Sequence, residues 1–146
     1  MKESIYPKAV ARIRGGDDFP QLRGKVWFFQ KQDGLMLEAE ILGLPKTETG
    51  FFAFHIHEGN GCGGEDFSET GGHYNPGGRM HPNHAGDLPP LLGDHGKAYM
   101  KVFTDRLFLE EVVGRTVVIH SNPDDFHTQP SGNAGKKIAC GLIEKY

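Results

Sequence analysis

The chain has 146 residues, 37% of them hydrophobic, and a formal net charge of −3 at pH 7. This length and composition suit one domain over residues 1–146, with enough apolar side chains for a buried core. The negative charge argues against a nucleic-acid partner, because neutralising phosphates requires a surplus of clustered Lys and Arg. No run approaches the roughly 20 apolar residues that span a bilayer, so no membrane association is predicted.

The first residues also bear on the cellular compartment. Residues 1–7 carry a positive charge, but no apolar segment follows them, so the sequence as it stands shows no secretory signal. We therefore expect a cytoplasmic protein, or a secreted or periplasmic one if a leader has been removed. The two cysteines, Cys62 and Cys140, complicate this expectation, because reducing compartments usually prevent disulfide bonds.

Short, roughly alternating apolar segments separated by Gly, Pro or Asp run through the chain. Such spacing is typical of the strands of a β-sandwich or barrel. About eight strands are predicted, at residues 8–13, 25–30, 35–41, 51–57, 88–92, 97–103, 113–121 and 136–144. Residues 31–34 and 93–96 have the composition of hairpin turns. Many of the glycines and prolines fall in two long connections, residues 58–86 and 122–135, and connections of that length are usually functional.

The histidines suggest a metal site. His55 and His57 are two residues apart on a predicted strand, so their rings share one face while Phe54 and Ile56 point into the core. Five further donors follow in chain order: His73, His81, His84, Asp87 and His120. Histidine is the commonest metal ligand, because a neutral ring nitrogen suits zinc and copper and both nitrogens of one ring can each bind an ion. The series predicts a site for two metal ions.

Six short segments surround these residues and the last strand: Phe54-His55-Ile56-His57-Glu58-Gly59, Gly72-His73-Tyr74-Asn75-Pro76, His84-Ala85-Gly86-Asp87-Leu88, Val118-Ile119-His120, Ser131-Gly132-Asn133-Ala134-Gly135 and Ala139-Cys140-Gly141-Leu142-Ile143. Together they closely resemble the copper/zinc superoxide dismutase family over roughly residues 9–143. Each segment alone is a weak signal, whereas the ordered series is highly specific. The resemblance implies an all-β fold, an eight-stranded Greek-key β-barrel or sandwich with two long functional loops.

The resemblance also implies which residues hold the metals. Copper would be bound by His55, His57, His73 and His120, and zinc by His73, His81, His84 and Asp87. His73 would act in catalysis as the bridge between the ions, one ring nitrogen to each. The zinc set is a closed tetrahedral one, as in structural sites. Asp124 would accept hydrogen bonds from His55 and His81, which fixes the orientation of one ring at each metal.

Four other residues are interpreted against the same pattern. By resemblance Cys62 and Cys140 would form a disulfide, and two free buried thiols remain the alternative. His95 and His127 match no ligand position, so we expect both to be surface residues.

As for function, the resemblance implies an enzyme that disproportionates the superoxide anion to oxygen and hydrogen peroxide. Copper would alternate between two oxidation states, and zinc would be structural. The alternative is a copper- and zinc-binding relative with low or no dismutase activity, which stores or delivers metal. Loss of a copper ligand would be the sequence sign of that alternative, and none is lost. A homodimer is left open.

Lys137 stands where the family pattern has the arginine that guides the substrate. Its charge would still attract a small anion, so we assign it a catalytic role as the anion guide. A lysine, however, lacks the planar fork that can bind an anion and the neighbouring loop backbone together. Lys137 is therefore expected to attract superoxide less effectively than the family's usual arginine.

The two loops also depart from the family pattern. Residues 125–132 form a shorter connection than in the common eukaryotic members, without Lys or Glu, and only two residues separate His81 from His84. The first loop carries three acids that would oppose an incoming anion: Glu65, Asp66 and Glu69. Both features predict a weaker attraction for superoxide.

Overall fold

The computed structural model describes residues 5–146, in which antiparallel strands dominate. Nine strands occur in this range: β1 Ala9–Gly15, β2 Arg23–Lys31, β3 Gly34–Leu42, β4 Phe51–Phe52, β5 Phe54–His57, β6 Leu91–Leu92, β7 Ala98–Thr104, β8 Thr116–His120 and β9 Lys137–Lys145. A 3₁₀ segment, Glu65–Thr70, lies in the first long loop, and a short helix, α1 Leu109–Val112, precedes β8. Neither helical segment of the described range has the length and apolarity needed to cross a bilayer.

Seven strands form one antiparallel sheet in the order β5-β8-β9-β1-β2-β3-β7, and β4 pairs separately with β6. Because β4 leads directly into β5 and β6 turns into β7, the short pair connects the two edge strands of the large sheet. The curled sheet and the short pair together form a Greek-key β-barrel. The predicted all-β class and architecture are confirmed.

The strand predicted at residues 51–57 is in fact two strands that change partner at Ala53. β4 pairs with β6, whereas β5 pairs with β8. Between them, the Ala53 N–H donates to the Asn122 carbonyl at 2.8 Å, and the Ala53 carbonyl accepts from the His120 N–H at 2.9 Å. The end of β8, which carries His120, is thereby fixed beside the His-Ile-His motif.

Two other predicted strands are shorter than expected. In residues 88–92, Pro89 and Pro90 have no N–H to donate to a ladder, so only the short β6 pairs. The strand predicted at residues 113–121 begins later, as β8, because α1 and the turn after it occupy the preceding positions.

All four residues of β5 are buried, although they alternate between two faces. Phe54 and Ile56 belong to the barrel core, as predicted. His55 and His57 point to the other face and are only 0% and 2% exposed. That face must therefore be covered by the long loops, which removes this pair of imidazoles from bulk water.

Cys62 and Cys140 form a disulfide, with their Cα atoms 5.9 Å apart. The predicted pairing is confirmed, and the alternative of two free thiols is excluded. The bond joins the first long loop to β9 across a sequence separation of 78 residues. On the chain-entropy model, closing a loop of that size stabilises the fold by about 4 kcal/mol.

Reducing this disulfide should lower the midpoint of thermal unfolding of the metal-free protein by about 10 °C, since the unfolded chain regains the entropy that the bond removes. Calorimetry with and without reductant measures the change. The double substitution Cys62→Ser with Cys140→Ser should unfold at the reduced protein's temperature and should not respond to reductant. Equal midpoints for the oxidised and reduced proteins would contradict the assigned stabilisation.

Candidate metal centre

Two strands and the first long loop bring four histidines together on the outer side of the barrel. Donor atoms of His55, His57, His73 and His120 all lie within 4.8 Å of one another, and all four side chains are buried. The Nε2 atoms of His57 and His120 are 3.2 Å apart. His55 and His57 come from β5 and His120 from the end of the neighbouring β8, so three members of this group rest on paired backbone.

Hydrogen bonds on the far side of two of these rings leave lone pairs facing inward. The His57 Nδ1–H donates to the Gly71 carbonyl at 2.8 Å, which leaves Nε2 unprotonated. The His55 Nε2–H donates to Asp124 Oδ2 at 2.8 Å, which leaves Nδ1 unprotonated. His55 Nδ1 and His73 Nε2 are buried nitrogens without a hydrogen-bond partner. Because an unsatisfied buried polar group costs about 1–3 kcal/mol, these nitrogens suit a metal ion.

Burial also keeps these rings in the form that binds metal. Burial, with the neighbouring His120, lowers the pKa of His57 well below its ordinary value. Burial, with His55 and His73, lowers the pKa of His120 to about 3. Both imidazoles are therefore neutral at physiological pH, and a neutral imidazole is the metal-binding form.

A second group of donors converges around Asp87. His73 Nδ1 lies 2.8 Å from Asp87 Oδ1, and the Nδ1 atoms of His81 and His84 lie 3.1 and 3.2 Å from Oδ2. His73 Nδ1 and His84 Nδ1 are 3.2 Å apart. Ligands about 2.0–2.1 Å from a tetrahedral zinc ion lie about 3.3 Å from one another, so a small expansion of this group would accommodate zinc.

His55 also has a donor atom within 4.8 Å of those of His73, His81 and Asp87. Its Nε2–H is, however, committed to Asp124, and its free Nδ1 belongs with the four-histidine group. His84 completes the second group instead, because its Nδ1 is close to both His73 and Asp87. The structure thus brings together the four residues that the resemblance implies as zinc ligands, and their role stays a proposal.

His73 belongs to both groups. Its Nδ1 faces Asp87 and His84, whereas its Nε2 is buried, without a hydrogen-bond partner, and directed away from that group. Its ring centroid lies 4.0 Å from that of His55 and 4.9 Å from that of His57. One imidazole therefore offers one nitrogen to each group.

Asp124 links the two groups from behind. Its Oδ2 accepts from His55 Nε2 at 2.8 Å, and its Oδ1 accepts from His81 Nε2 at 2.7 Å. Burial alone would raise the pKa of Asp124, but the hydrogen bonds from these two rings outweigh it and hold the pKa below its ordinary value. The carboxylate is therefore ionised, and it fixes both histidines with Nδ1 free for a metal.

The second long loop approaches this contact so closely that it needs glycine. Gly132 has φ of 72°, in the left-handed region, and a Cβ there would lie 2.0 Å from Asp124 Oδ1 and 2.5 Å from His81 Nε2. Only glycine allows the loop to cover the buried carboxylate without displacing it.

Two side chains that the sequence analysis did not single out hold the short segment between His81 and His84. Gln129, in the second loop, accepts from the His81 N–H at 2.8 Å and donates to the His81 carbonyl at 2.7 Å. Arg106 Nη1 donates to the carbonyls of Pro82 and His84 at 2.8 and 3.2 Å. Both contact the backbone alone, so no motif in the sequence marks them.

Lys137 is half-buried at the start of β9 and lies against the first long loop. Its Nζ donates to Thr70 Oγ1 at 2.7 Å and to the Gly71 carbonyl at 3.0 Å. The Gly71 carbonyl also accepts from His57, so one backbone oxygen connects the lysine with a histidine of the first group. Burial lowers the pKa of Lys137. A lysine at this position thus keeps a contact with the loop backbone, because its long side chain reaches that carbonyl.

The remaining charged and histidine positions lie outside these groups. Glu65, Asp66 and Glu69 are exposed, and Asp66 Oδ1 lies 3.6 Å from Lys136 Nζ. The side chains of His95 and His127 are 95% and 78% exposed, as predicted for surface residues.

Known proteins share both the sequence pattern and the fold. A family model described as copper/zinc superoxide dismutase matches residues 22–143. Cu-Zn superoxide dismutase 2 of Aquifex aeolicus is 37% identical over 137 residues, which cover 82% of this chain and 78% of that protein. The Cu-Zn superoxide dismutase of Caulobacter vibrioides is 33% identical over 153 residues, which cover 93% of this chain and 85% of that protein.

Solved structures extend the likeness to the whole barrel. The Cu/Zn superoxide dismutase from Brucella abortus superposes with a TM-score of 0.79 at 29% identity, over 94% of this chain and 100% of that one. A double mutant of a SOD-like protein from Bacillus subtilis gives a TM-score of 0.76 at 29% identity, over 90% and 94%. Since the family model spans most of the chain, and the relatives above 30% identity are matched over most of its length, this chain belongs to the copper/zinc superoxide dismutase family.

Proposed function

We propose that this chain is a copper- and zinc-dependent superoxide dismutase, which converts two superoxide anions and two protons to dioxygen and hydrogen peroxide. One observation carries the proposal. Two buried donor groups share His73, and Asp124 orients one ring of each group. A shared imidazole that directs Nδ1 to Asp87 and His84, and leaves a buried Nε2 without a hydrogen-bond partner on the other side, suits a two-metal site better than two independent ones.

Each donor group suits a different ion. Copper would be held by the nitrogen-only group, His55, His57, His73 and His120, since imidazole is a good ligand for that metal. Zinc would be held by His73, His81, His84 and Asp87, a closed set of the kind that structural zinc sites use. When bound, copper supplies one-electron oxidation and reduction of superoxide.

The protein's own residues manage the proton and the substrate. His73 Nε2 is buried and without a protein partner, so it is a place where a proton can be held beside the copper group and then given to the peroxide product. The hydrogen bonds to Gly71 and Asp124 keep His57 and His55 in fixed tautomers throughout. The ammonium group of Lys137, held by Thr70 and Gly71, would attract the anion towards the copper group.

Metal analysis of the purified protein tests this function. We expect one copper and one zinc per chain, with superoxide disproportionation in a pulse assay. His57→Ala should lose copper first and reduce activity by more than the roughly 100-fold that loss of an outer hydrogen-bond partner costs. Asp87→Ala should lose zinc first. The matched control is His127→Ala, which removes an exposed imidazole and should change neither metal.

Two results would oppose the proposal. The first is an unchanged copper content in His57→Ala together with an unchanged zinc content in Asp87→Ala, which would contradict the assignment of these residues as ligands. Full metal loading without disproportionation would instead favour a protein that stores or delivers metal.

The compartment and the oligomeric state are part of the same proposal. Disulfides persist in oxidising compartments, so the Cys62–Cys140 bond favours a secreted or periplasmic location over a cytoplasmic one. A homodimer would cover the cross-strand pair Phe51 and Leu92, whose side chains are 40% and 57% exposed. Sedimentation velocity of the metal-loaded protein measures its oligomeric state.

A further inference from the structure

The outward face of β1 and β2 carries four cations in two cross-strand pairs. Arg12 lies opposite Lys25, and Arg14 lies opposite Arg23. All four side chains are exposed. Like charges directly opposite one another destabilise a sheet, so this arrangement has a cost that a random surface would avoid.

One acid lines the same surface as these charges. Within residues 5–146, none of the four cations forms an ion pair, and Glu40, which lies opposite Lys25 on β3, is the acid that lines the same surface. The Arg23 guanidinium donates to the Gln21 carbonyl at 2.8 Å, which orients the group without neutralising it. A locally positive surface of this kind is unexpected in a chain whose net charge is −3.

The position of the cations excludes two structural explanations. Charged residues often protect an edge strand from pairing with another chain, but β1 and β2 are both flanked on each side by other strands. The side chains of the two donor groups come from β5, β8 and the connection between β5 and β6, so β1 and β2 contribute none of them. The cluster has no assigned role in the fold or in the metal centre.

The four cations line a concave surface. They border an open cleft of about 710 Å³, whose other walls include Leu22, Leu42 and Trp27. Small-molecule sites have volumes of about 300–1,000 Å³, so the cleft is large enough for a ligand. A concave surface lined by four cations favours the binding of a discrete anion over contact with an extended, flat partner.

We propose that this cleft binds a free anion that carries a chain of two or more phosphate groups. The backbone positions of these residues are about 7 Å apart along each strand and about 5 Å apart across each pair, and long flexible side chains from such positions can contact one short polyphosphate together. The arginines can contact phosphate oxygens in a bidentate manner, and the lysine adds a point charge. Trp27 offers an apolar wall for any group attached to the phosphates.

Intrinsic fluorescence of the metal-loaded protein tests the proposal directly, because Trp27 is the only tryptophan of the chain. Titration with tripolyphosphate at low ionic strength should give a saturable change in emission, and added salt should weaken the binding. The double variant Arg14→Gln with Arg23→Gln should raise the dissociation constant by at least about tenfold, because two charge-assisted hydrogen-bonding groups are lost. Metal content measured before and after titration excludes a signal from chelation.

The matched control is the double variant Lys46→Gln with Lys97→Gln, which removes two positive charges from exposed positions outside the cleft. It should bind tripolyphosphate with the same dissociation constant as the parent. The cleft variant should unfold at the same or a higher temperature than the parent, because a like-charge pair is removed. Adenosine triphosphate in place of tripolyphosphate separates the two sources of the phosphate chain, and tighter binding would indicate contact between the base and Trp27.

Three results would overturn the proposal. The first is equal weakening in both double variants, which would indicate nonspecific attraction by net charge. The second is the lack of saturable binding of either phosphate compound. The third is binding of phosphatidylglycerol vesicles without binding of tripolyphosphate, which would make the face a membrane contact.

Discussion

Replacing Asp124 with alanine should weaken the binding of both copper and zinc, although Asp124 is a ligand of neither metal. The carboxylate holds His55 and His81 by their Nε2–H groups, and these histidines belong to different donor groups. Without it, both rings can rotate or change tautomer, and Nδ1 is no longer reserved for a metal. Loss of such a partner typically costs about 10–100-fold in metal affinity or activity. Competition with a chelator, followed by metal analysis, measures both affinities.

Two further variants make this result specific. Asp125→Ala removes a carboxylate that accepts only from its own loop, at the N–H groups of His127 and Thr128 and the Thr128 hydroxyl, so it should disturb the loop without touching either histidine. Asp124→Asn keeps the shape but offers one acceptor oxygen, so it should weaken one metal more than the other. Equal losses in Asp124→Ala and Asp125→Ala would mean that loop structure, not histidine orientation, is responsible.

Reversing the charge of Lys137 should slow the reaction with superoxide by about tenfold to a hundredfold, since clefts of favourable charge raise the encounter rate of small ions by such factors. The parent rate should fall as salt increases, because exposed charges are screened over about 8 Å at physiological ionic strength. The rate of Lys137→Glu should instead rise with salt. Lys137→Arg should be equal to the parent or faster, because a guanidinium keeps the charge and adds donors. Stopped-flow assays across a salt series measure all three proteins.

The adjacent Lys136 provides a matched control with the same change of charge. It is exposed, and its Nζ lies 3.3 Å from Asp18 and 3.6 Å from Asp66, so these acids already offset its charge. Lys136→Glu should therefore slow the reaction much less than Lys137→Glu. Equal rate reductions in Lys136→Glu and Lys137→Glu would show that the overall charge of the protein attracts superoxide, and that the position of Lys137 contributes nothing further.

The sequence predicted those features that depend on local pattern. The alternation of residues 51–57 predicted that the side chains of His55 and His57 share one face of a strand. The structure confirms this, since both lie on the face of β5 opposite the core. The change of partner at Ala53 could not be predicted, because it depends on hydrogen bonds with Asn122 and His120, which are distant in the chain.

The support of the metal centre was predicted only in part. Asp124 was found because a family pattern marks its position, and the structure places its carboxylate between the two rings. Gln129 and Arg106 were missed, since they contact backbone carbonyls and amides, which any loop sequence presents. The reach of Lys137 to the Gly71 carbonyl was also missed, because it depends on how the first loop folds over β9.

The two donor groups differ in how much of their backbone is already held by the barrel. Three of the four histidines of the first group lie on β5 and β8, whereas all donors of the second group lie in the connection between β5 and β6, where His73 and Asp87 are joined to β5 by isolated bridges alone. Such loops open locally at lower free energy than a paired strand does, so the second group should be the first part of the centre to exchange its amide hydrogens. A metal bound there would contribute its binding energy to the stability of that loop. Zinc would thus act on the local unfolding equilibrium of the loop, while copper would enter a site that the strands have already ordered.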